Sequence, residues 1–175
     1  MNRQKIIFRQ VMKYALLGVS VFLLYIFQST PKFLQIFGVK PVLIMPFCIT
    51  LSMLDESWQT IIIYLLGGLL MELSAGRIVG LFTIPLLLIC FAGSVAVKFF
   101  FKPNTRNSYM FSFMAMLIML SLDFFFSYVL SGYSHIFMAY VKKVVLLSGY
   151  SSLFSVLFHK YIEGINQRFL RFDAR

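Results

Sequence analysis

The sequence predicts an all-α polytopic membrane protein with six transmembrane helices. Of its 175 residues, 60% are hydrophobic and 13% are charged, whereas soluble domains carry about 25% charged residues. Mean hydropathy is +0.86, and several apolar runs approach or exceed the roughly 18 residues that indicate a spanning helix. Because no repeat or linker interrupts the chain, we expect residues 1–175 to form a single integral membrane domain.

Prolines, glycines and charged residues separate the six apolar runs. The expected helices cover residues 11–27, 39–54, 58–73, 79–101, 109–130 and 144–161. In the second run, Pro41 fits a first-turn position, whereas Pro46 would kink the helix or break it. A broken membrane helix must line protein or water rather than lipid, so Pro46 indicates an internal cleft. Ala92-x-x-x-Ala96 and a serine-rich face of the sixth run have the small residues that suit close helix packing.

The net charge of +10 comes from basic clusters at the ends of the apolar runs. Positive charge there sets orientation and meets lipid headgroups, so it indicates a membrane rather than nucleic acid. Six spans place eleven basic residues on the side of the termini and five on the other side: Arg3, Lys5, Arg9, Lys13, Lys98, Lys102, Arg106, Lys160, Arg168, Arg171 and Arg175 against Lys32, Lys40, Arg77, Lys142 and Lys143. We therefore expect a multi-pass protein of the cytoplasmic membrane with both termini in the cytoplasm.

The most specific stretch of the chain is residues 67–81, which carries one carboxylate, Glu72, at the end of an apolar helix. Gly68 suits close backbone approach, and Gly80 lies in the tight turn that restarts the next helix. A carboxylate in this position is costly unless it reaches water or a partner. Glu72 can have a structural role, reaching the headgroup zone and pairing with Arg77, or it can bind a partner or support a conformational change.

A second carboxylate, Asp123, lies near the middle of the fifth predicted helix. Carboxylates within membrane helices usually serve a relay, an ion path or a bond between helices, and a hydrogen bond to serine or backbone is the commoner outcome. The acidic pair Asp55-Glu56 can form an acidic contact, but a solvated loop is the commoner outcome and the one that we expect.

Catalysis finds little support in the sequence. His135 and His159 have no carboxylate or cysteine at ligand spacing, and Cys48 and Cys90 are expected to be free buried thiols. No nucleophile–base spacing or phosphate-binding loop is present. The sequence therefore predicts a non-catalytic protein without cofactor or metal.

Several blocks resemble the family of rod shape-determining proteins MreD. Residues 28–31 followed by 37–41 resemble the first loop of that family, which opens its second helix with a Lys-Pro or similar pair. Glu56 matches an acidic residue in the next loop, and residues 68–74 with Gly80-Leu81 match a Gly-Leu-Leu-x-Asp-Leu-x-Ser-like stretch. The chain departs from the pattern with Glu72 in place of aspartate and Tyr64 in place of glycine.

The resemblance implies a membrane subunit of the machinery that elongates the lateral cell wall. Its expected partner is MreC, and indirectly MreB, RodA and a class B penicillin-binding protein, with contacts through small-residue faces and the region around Glu72 and Arg77. The implied fold is similar to the substrate-binding subunits of energy-coupling-factor transporters. The alternative is therefore a small-molecule-binding subunit of a transporter. Against it, helix one offers only Ala15-x-x-Gly18 where such subunits often carry Ala-x-x-x-Ala.

Overall fold

A computed structural model describes residues 3–30, 40–75, 80–99, 102–126 and 140–173, and every element in these ranges is helical. The elements are α1 (Arg3–Ser29), α2 (Ile44–Leu54), α3 (Thr60–Ala75), α4 (Thr83–Phe99), α5 (Thr105–Phe124), a π-helical turn (Val141–Leu146) and α6 (Leu147–Asp173). Two segments, Phe8–Ser29 and Thr105–Phe124, are long and apolar enough to cross a membrane, whereas α2, α3 and α4 are apolar but shorter. The predicted all-α class is confirmed for this part of the chain, and the six spans stay a prediction.

The shortest helix, α2, is the core of the bundle. Every residue from Ile44 to Met53 is buried, and α1, α3, α4, α5 and α6 all pack against this helix. With 11 residues and a rise of about 1.5 Å per residue, α2 is about 16 Å long. Its surface is covered by protein on all sides, which is why a nearly continuous apolar sequence is tolerated there.

The outer helices turn large apolar side chains away from the bundle. One residue from each of α1, α3, α4, α5 and α6 illustrates this face, and each is more than half exposed: Phe22, Leu73, Phe91, Met114 and Leu157. Serines lie in the interior beside the apolar core, and Ser52, Ser112 and Ser155 are completely buried. Large apolar residues outside and small polar residues inside are typical of a protein whose surroundings are apolar.

The helices α5 and α6 pack antiparallel along the predicted serine-rich face. Ser148, Ser151, Ser152 and Ser155 of α6 are completely buried. At the other end of the pair, Ser108 Oγ lies 2.8 Å from Nδ1 of His159. Small side chains let the two backbones approach closely, so the prediction of a packing face on this helix is confirmed.

The beginning of α1 and the end of α6 meet at one end of α2, which we name the terminal face. Lys13 Nζ lies 2.6 Å from Asp55 Oδ2, and Asn166 Nδ2 donates to the carbonyl oxygen of Leu54 at 3.1 Å. Asp55 is only 6% exposed. The expectation of a solvated loop is therefore wrong for Asp55, because this carboxylate pairs with a lysine from a helix distant in sequence.

Both outermost helices extend beyond the predicted bounds. The first helix begins at Arg3 rather than at residue 11, and the last continues to Asp173 rather than ending at residue 161. The prediction ended each helix where its apolar run ended. Arginine, lysine, glutamine and glutamate are good helix formers, so the backbone remains helical after the hydrophobicity has stopped.

The bounds of the helices between these two also differ from the prediction. For α2 the reason is that both prolines lie at or before the start of the helix. α2 begins at Ile44 rather than at residue 39, so Pro41 precedes the helix and Pro46 lies in its first turn. First-turn N–H groups have no partner within the helix, so Pro46 removes no hydrogen bond from α2. The expected kink or break at Pro46 is therefore wrong. α3 spans 60–75 instead of 58–73, and α4 begins at Thr83, after a turn at residues 80–82 that the prediction included in the helix. Residues 100 and 101, the predicted end of this helix, lie outside the described residues. α5 begins at Thr105, and the predicted continuation from 127 to 130 lies outside the described residues.

Gly93 makes the close contact on α4 that the sequence assigned to Ala92 and Ala96. A Cβ on Gly93 would lie 2.6 Å from Ser52 Oγ and 3.0 Å from Phe111 Cε1, whereas Ala92 is exposed. Gly93→Ala should therefore lower the free energy of unfolding by about 1–3 kcal/mol, because the added methyl overpacks the α2–α4 contact.

Thermal unfolding in detergent measures this effect, with a thiol-reactive dye reporting exposure of the buried cysteines Cys48 and Cys90. Gly164→Ala is the matched control, since a Cβ there meets nothing within 4 Å. Equal melting temperatures for the two variants would contradict the close packing at Gly93.

Candidate functional site: the cap between α3 and α4

The carboxylate of Glu72 reaches from the last turn of α3 to the N-terminus of α4. Its Oε1 accepts hydrogen bonds from the backbone N–H groups of Gly80 at 2.7 Å, Phe82 at 3.1 Å and Thr83 at 2.9 Å. The Thr83 hydroxyl donates to the same oxygen at 2.8 Å. We name these four residues the α4 cap.

The α4 cap satisfies the N–H groups at the start of α4 and also compensates the Glu72 carboxylate for its lost hydration. The first N–H groups of a helix have no partner within it, and the helix N-terminus carries partial positive charge. Glu72 is 3% exposed, and a buried carboxylate needs donors to offset its lost hydration. Four donors on one oxygen supply that compensation. The other oxygen, Oε2, is buried and accepts no hydrogen bond from the residues that the structure describes.

Two glycines give the α4 cap its geometry. Gly68 lies one turn before Glu72 on α3, and a Cβ there would lie 2.7 Å from the backbone Cα of Thr83. Only glycine allows the two backbones to approach this closely. Gly80 has a φ of +103°, a conformation that residues with a side chain rarely adopt. Together they bring the donors of α4 to the carboxylate of α3.

The structure thus brings together three of the five predicted site residues, Gly68, Glu72 and Gly80. Arg77, the expected ion-pair partner of Glu72, lies outside the described residues. Asp123 lies on α5 and is half-buried. It lies in the last turn of α5 as far as this helix is described; the rest of the predicted fifth helix, residues 127–130, lies outside the described residues, so the predicted position near its middle stays a prediction.

A second cap of the same kind was not predicted from the sequence. Oε1 of Gln28, at the end of α1, accepts from the backbone N–H of Leu43 at 2.9 Å and of Ile44 at 3.3 Å. Ser151 Oγ accepts from the N–H of Val42 at 2.9 Å. The signal was present, since Gln28, like Glu72, is a polar residue at the end of an apolar helix before a turn.

The remaining titratable groups form no metal centre within the described part of the chain, where no three His, Cys, Asp or Glu side chains converge. His159 bonds Ser108 through Nδ1, and its Nε2 lies 3.9 Å from Oε2 of Glu163. The expectation that His159 has no carboxylate at suitable spacing is therefore wrong, because Glu163 lies one helical turn further along α6. Cys48 and Cys90 are free and buried, as predicted. The chemical role of the α4 cap is to hold the N-terminus of α4 through hydrogen bonds to Glu72.

Several cavities border the described part of the bundle, and three of them bear on the predicted sites. One of about 320 Å³ opens at the terminal face, and one of about 420 Å³ runs between α1 and α3. The third, of about 460 Å³, lies at the opposite end beside the start of α2 and is lined by Tyr25, Gln28, Lys40 and Ser74, among others. The centre, where Pro46 indicated a cleft, is filled by α2 itself.

Comparison of the chain with protein-family models, with curated proteins and with solved structures finds no match.

Glu72→Ala should lower the free energy of unfolding by about 3–5 kcal/mol, because several buried donors lose their common acceptor. Glu72→Gln keeps one acceptor oxygen and should lose less, about 1–2 kcal/mol. Glu163→Gln is the control, since that carboxylate is half exposed. Denaturation in detergent gives the ranking. Glu72 variants as stable as Glu163→Gln would show that the cap does not stabilise the fold.

Proposed function

We propose that the chain is a non-catalytic membrane subunit of the bacterial cell-wall elongation machinery, which binds MreC and helps to maintain cell shape. The outer surface of the bundle suits a lipid environment, and this is the first support for the proposal. The apolar outward faces of α1, α3, α4, α5 and α6 suit lipid, and α2 is short but enclosed by protein. The non-helical lead-in to α2 bonds to Gln28 and Ser151, which meets the requirement that backbone at membrane depth be satisfied by protein.

We place six crossing segments in the membrane, with both termini in the cytoplasm. The terminal face carries the beginning of α1 and the end of α6, the parts of the chain in which the sequence concentrates arginine and lysine. This agrees with the positive-inside rule. Trp58, 72% exposed at the start of α3, has the position of an aromatic anchor at the membrane interface.

The observation that carries the family assignment is the α4 cap. The residues that resemble the MreD pattern most specifically, Gly68, Glu72 and Gly80, act in a single interaction. A pattern that is spread over thirteen positions therefore has one physical basis, the joining of α3 to α4. The cap also changes the role proposed for Glu72. Because the residue is 3% exposed, a partner helix has little access to it. A substitution such as Glu72→Lys would therefore report on folding and not on contact with a partner.

The surface that we propose for the MreC helix is the outer side of α4. Ala92 is exposed and Ala96 is half-buried one turn later, between the exposed side chains of Leu88 and Phe99. Within lipid, transmembrane helices associate through small residues that permit close backbone approach. Gly93 makes the internal contact of α4, which leaves the Ala92-x-x-x-Ala96 pair for a single-span partner.

Ala92→Leu should reduce co-purification with MreC at least tenfold in mild detergent, because the larger side chain blocks helix approach. Leu153→Phe, on the exposed face of α6, is the control for a change in lipid-facing volume. Unchanged complex with Ala92→Leu would place MreC on another surface. Failure of the wild-type chain to bind MreC would contradict the proposed function.

The cavity beside the start of α2 favours a second candidate, a small-molecule-binding subunit of a transporter. This cavity of about 460 Å³ has polar lining residues and, among the residues that the structure describes, one cation, Lys40. The proposed topology turns it outward from the cytoplasm. A small molecule retained in stoichiometric amount by the wild-type chain and lost from Lys40→Ala would favour this candidate. A preparation free of such a molecule would argue against it.

A further inference from the structure

We infer that the terminal face holds one phospholipid with a zwitterionic headgroup, its head against the α2–α3 turn and an acyl chain between α1 and α3. The site rests on the membrane location within the proposed function and does not depend on MreC. Three observations carry it: a polar cavity of mixed charge, an apolar groove that continues it, and an unpartnered buried acceptor.

The polar cavity has a volume of about 320 Å³ and contains both signs of charge. Arg9, Lys13, Asp55 and Glu56 line it. The carboxylate of Asp55 is held by Lys13 at 2.6 Å and also accepts from the backbone N–H of Ser57 at 3.1 Å. Among the described residues that line the cavity, two basic and two acidic side chains balance formally, so this lining complements a ligand that itself carries both charges.

Asn166 supplies an acceptor at the wall of the same cavity. Its Nδ2 donates to the carbonyl oxygen of Leu54, which fixes the orientation of the amide. Its Oδ1 is buried and has no hydrogen-bond partner among the described residues. A buried unpaired oxygen is unfavourable, and a donor on a bound ligand would remove that penalty.

The apolar groove continues from the polar cavity toward the middle of the bundle. Its volume is about 420 Å³, and it shares Gln10 and Tyr14 with the polar cavity. Ala15 and Gly18 of α1 face Ile62 and Leu66 of α3 along it. A Cβ on Gly18 would meet nothing within 4 Å, so the groove is open at this depth.

The two spaces together match a phospholipid rather than a free phosphate compound. From Gln10 to Gly18 the helix rises about 12 Å, close to the half-thickness of the hydrocarbon core, about 15 Å. Lys13 and Arg9 suit the phosphate, and Glu56 with Asn166 Oδ1 suits an ammonium group. Phosphatidylglycerol offers the phosphate without the ammonium and leaves Glu56 uncompensated, so phosphatidylethanolamine is the expected ligand.

Native mass spectrometry of the purified full chain tests the site. After delipidation in detergent, the chain is titrated with phosphatidylethanolamine or with phosphatidylglycerol. We expect one molecule of phosphatidylethanolamine to bind, at least fivefold more tightly than phosphatidylglycerol. Gly18→Leu fills the groove and should reduce this binding at least fivefold. Val19→Leu, at an exposed neighbouring position of α1, should bind as the wild type does.

Glu56→Gln tests the headgroup separately. It should bring the affinities for the two lipids to within about twofold of each other, with the groove intact. Equal affinity of the wild-type chain for both lipids, or wild-type binding by Gly18→Leu, would overturn the site. A chain that binds MreC but no phosphatidylethanolamine would overturn the lipid site alone. A chain that stays in solution without detergent would contradict the membrane location, and the site with it.

Discussion

The backbone N–H groups at the start of α2 and α4 set the constraint on which the rest of the fold depends. Leu43 and Ile44 at the start of α2 and Phe82 and Thr83 at the start of α4 are buried, so protein groups must satisfy these donors. In each case a polar side chain at the end of the preceding helix supplies the acceptor: Gln28 for α2 and Glu72 for α4. These two interactions fix how each pair of helices turns, and they allow an almost entirely apolar α2 to lie at the centre.

The same constraint separates the roles of the polar residues. Glu72 is buried and bonds to the start of α4, so its role is structural. Recognition of a partner or ligand falls to residues at the surface. Mixed charge at the terminal face, in contrast, borders a cavity that is open to a ligand. The outer faces are apolar, and on α4 they include an exposed small residue, Ala92. The surface proposed for helix association and the site proposed for a headgroup therefore fall on different sides of one bundle.

Hydropathy predicted the helices, the buried free cysteines and the serine-rich packing face, because these follow from local pattern. It could not predict interactions that depend on distant partners. Asp55 was expected in a solvated loop, yet Lys13 lies against it. The sequence predicts that Glu72 pairs with Arg77, which lies outside the described residues, or serves a partner or a conformational change. It does not predict the donors Gly80, Phe82 and Thr83. The helix ends at Arg3 and Asp173 were missed because helix propensity, not hydrophobicity, sets them. The family resemblance and the six spans stay predictions.

Hydrogen–deuterium exchange on the wild-type chain and on Glu72→Gln tests the central claim most directly, because it reads the N–H groups themselves. Loss of the carboxylate should speed exchange at Gly80, Phe82 and Thr83 at least tenfold, while exchange along α5 and α6 stays unchanged. Exchange that is unchanged at all three amides, or that rises uniformly through the bundle, would contradict a local cap. In that case the joining of α3 to α4 would need another physical cause.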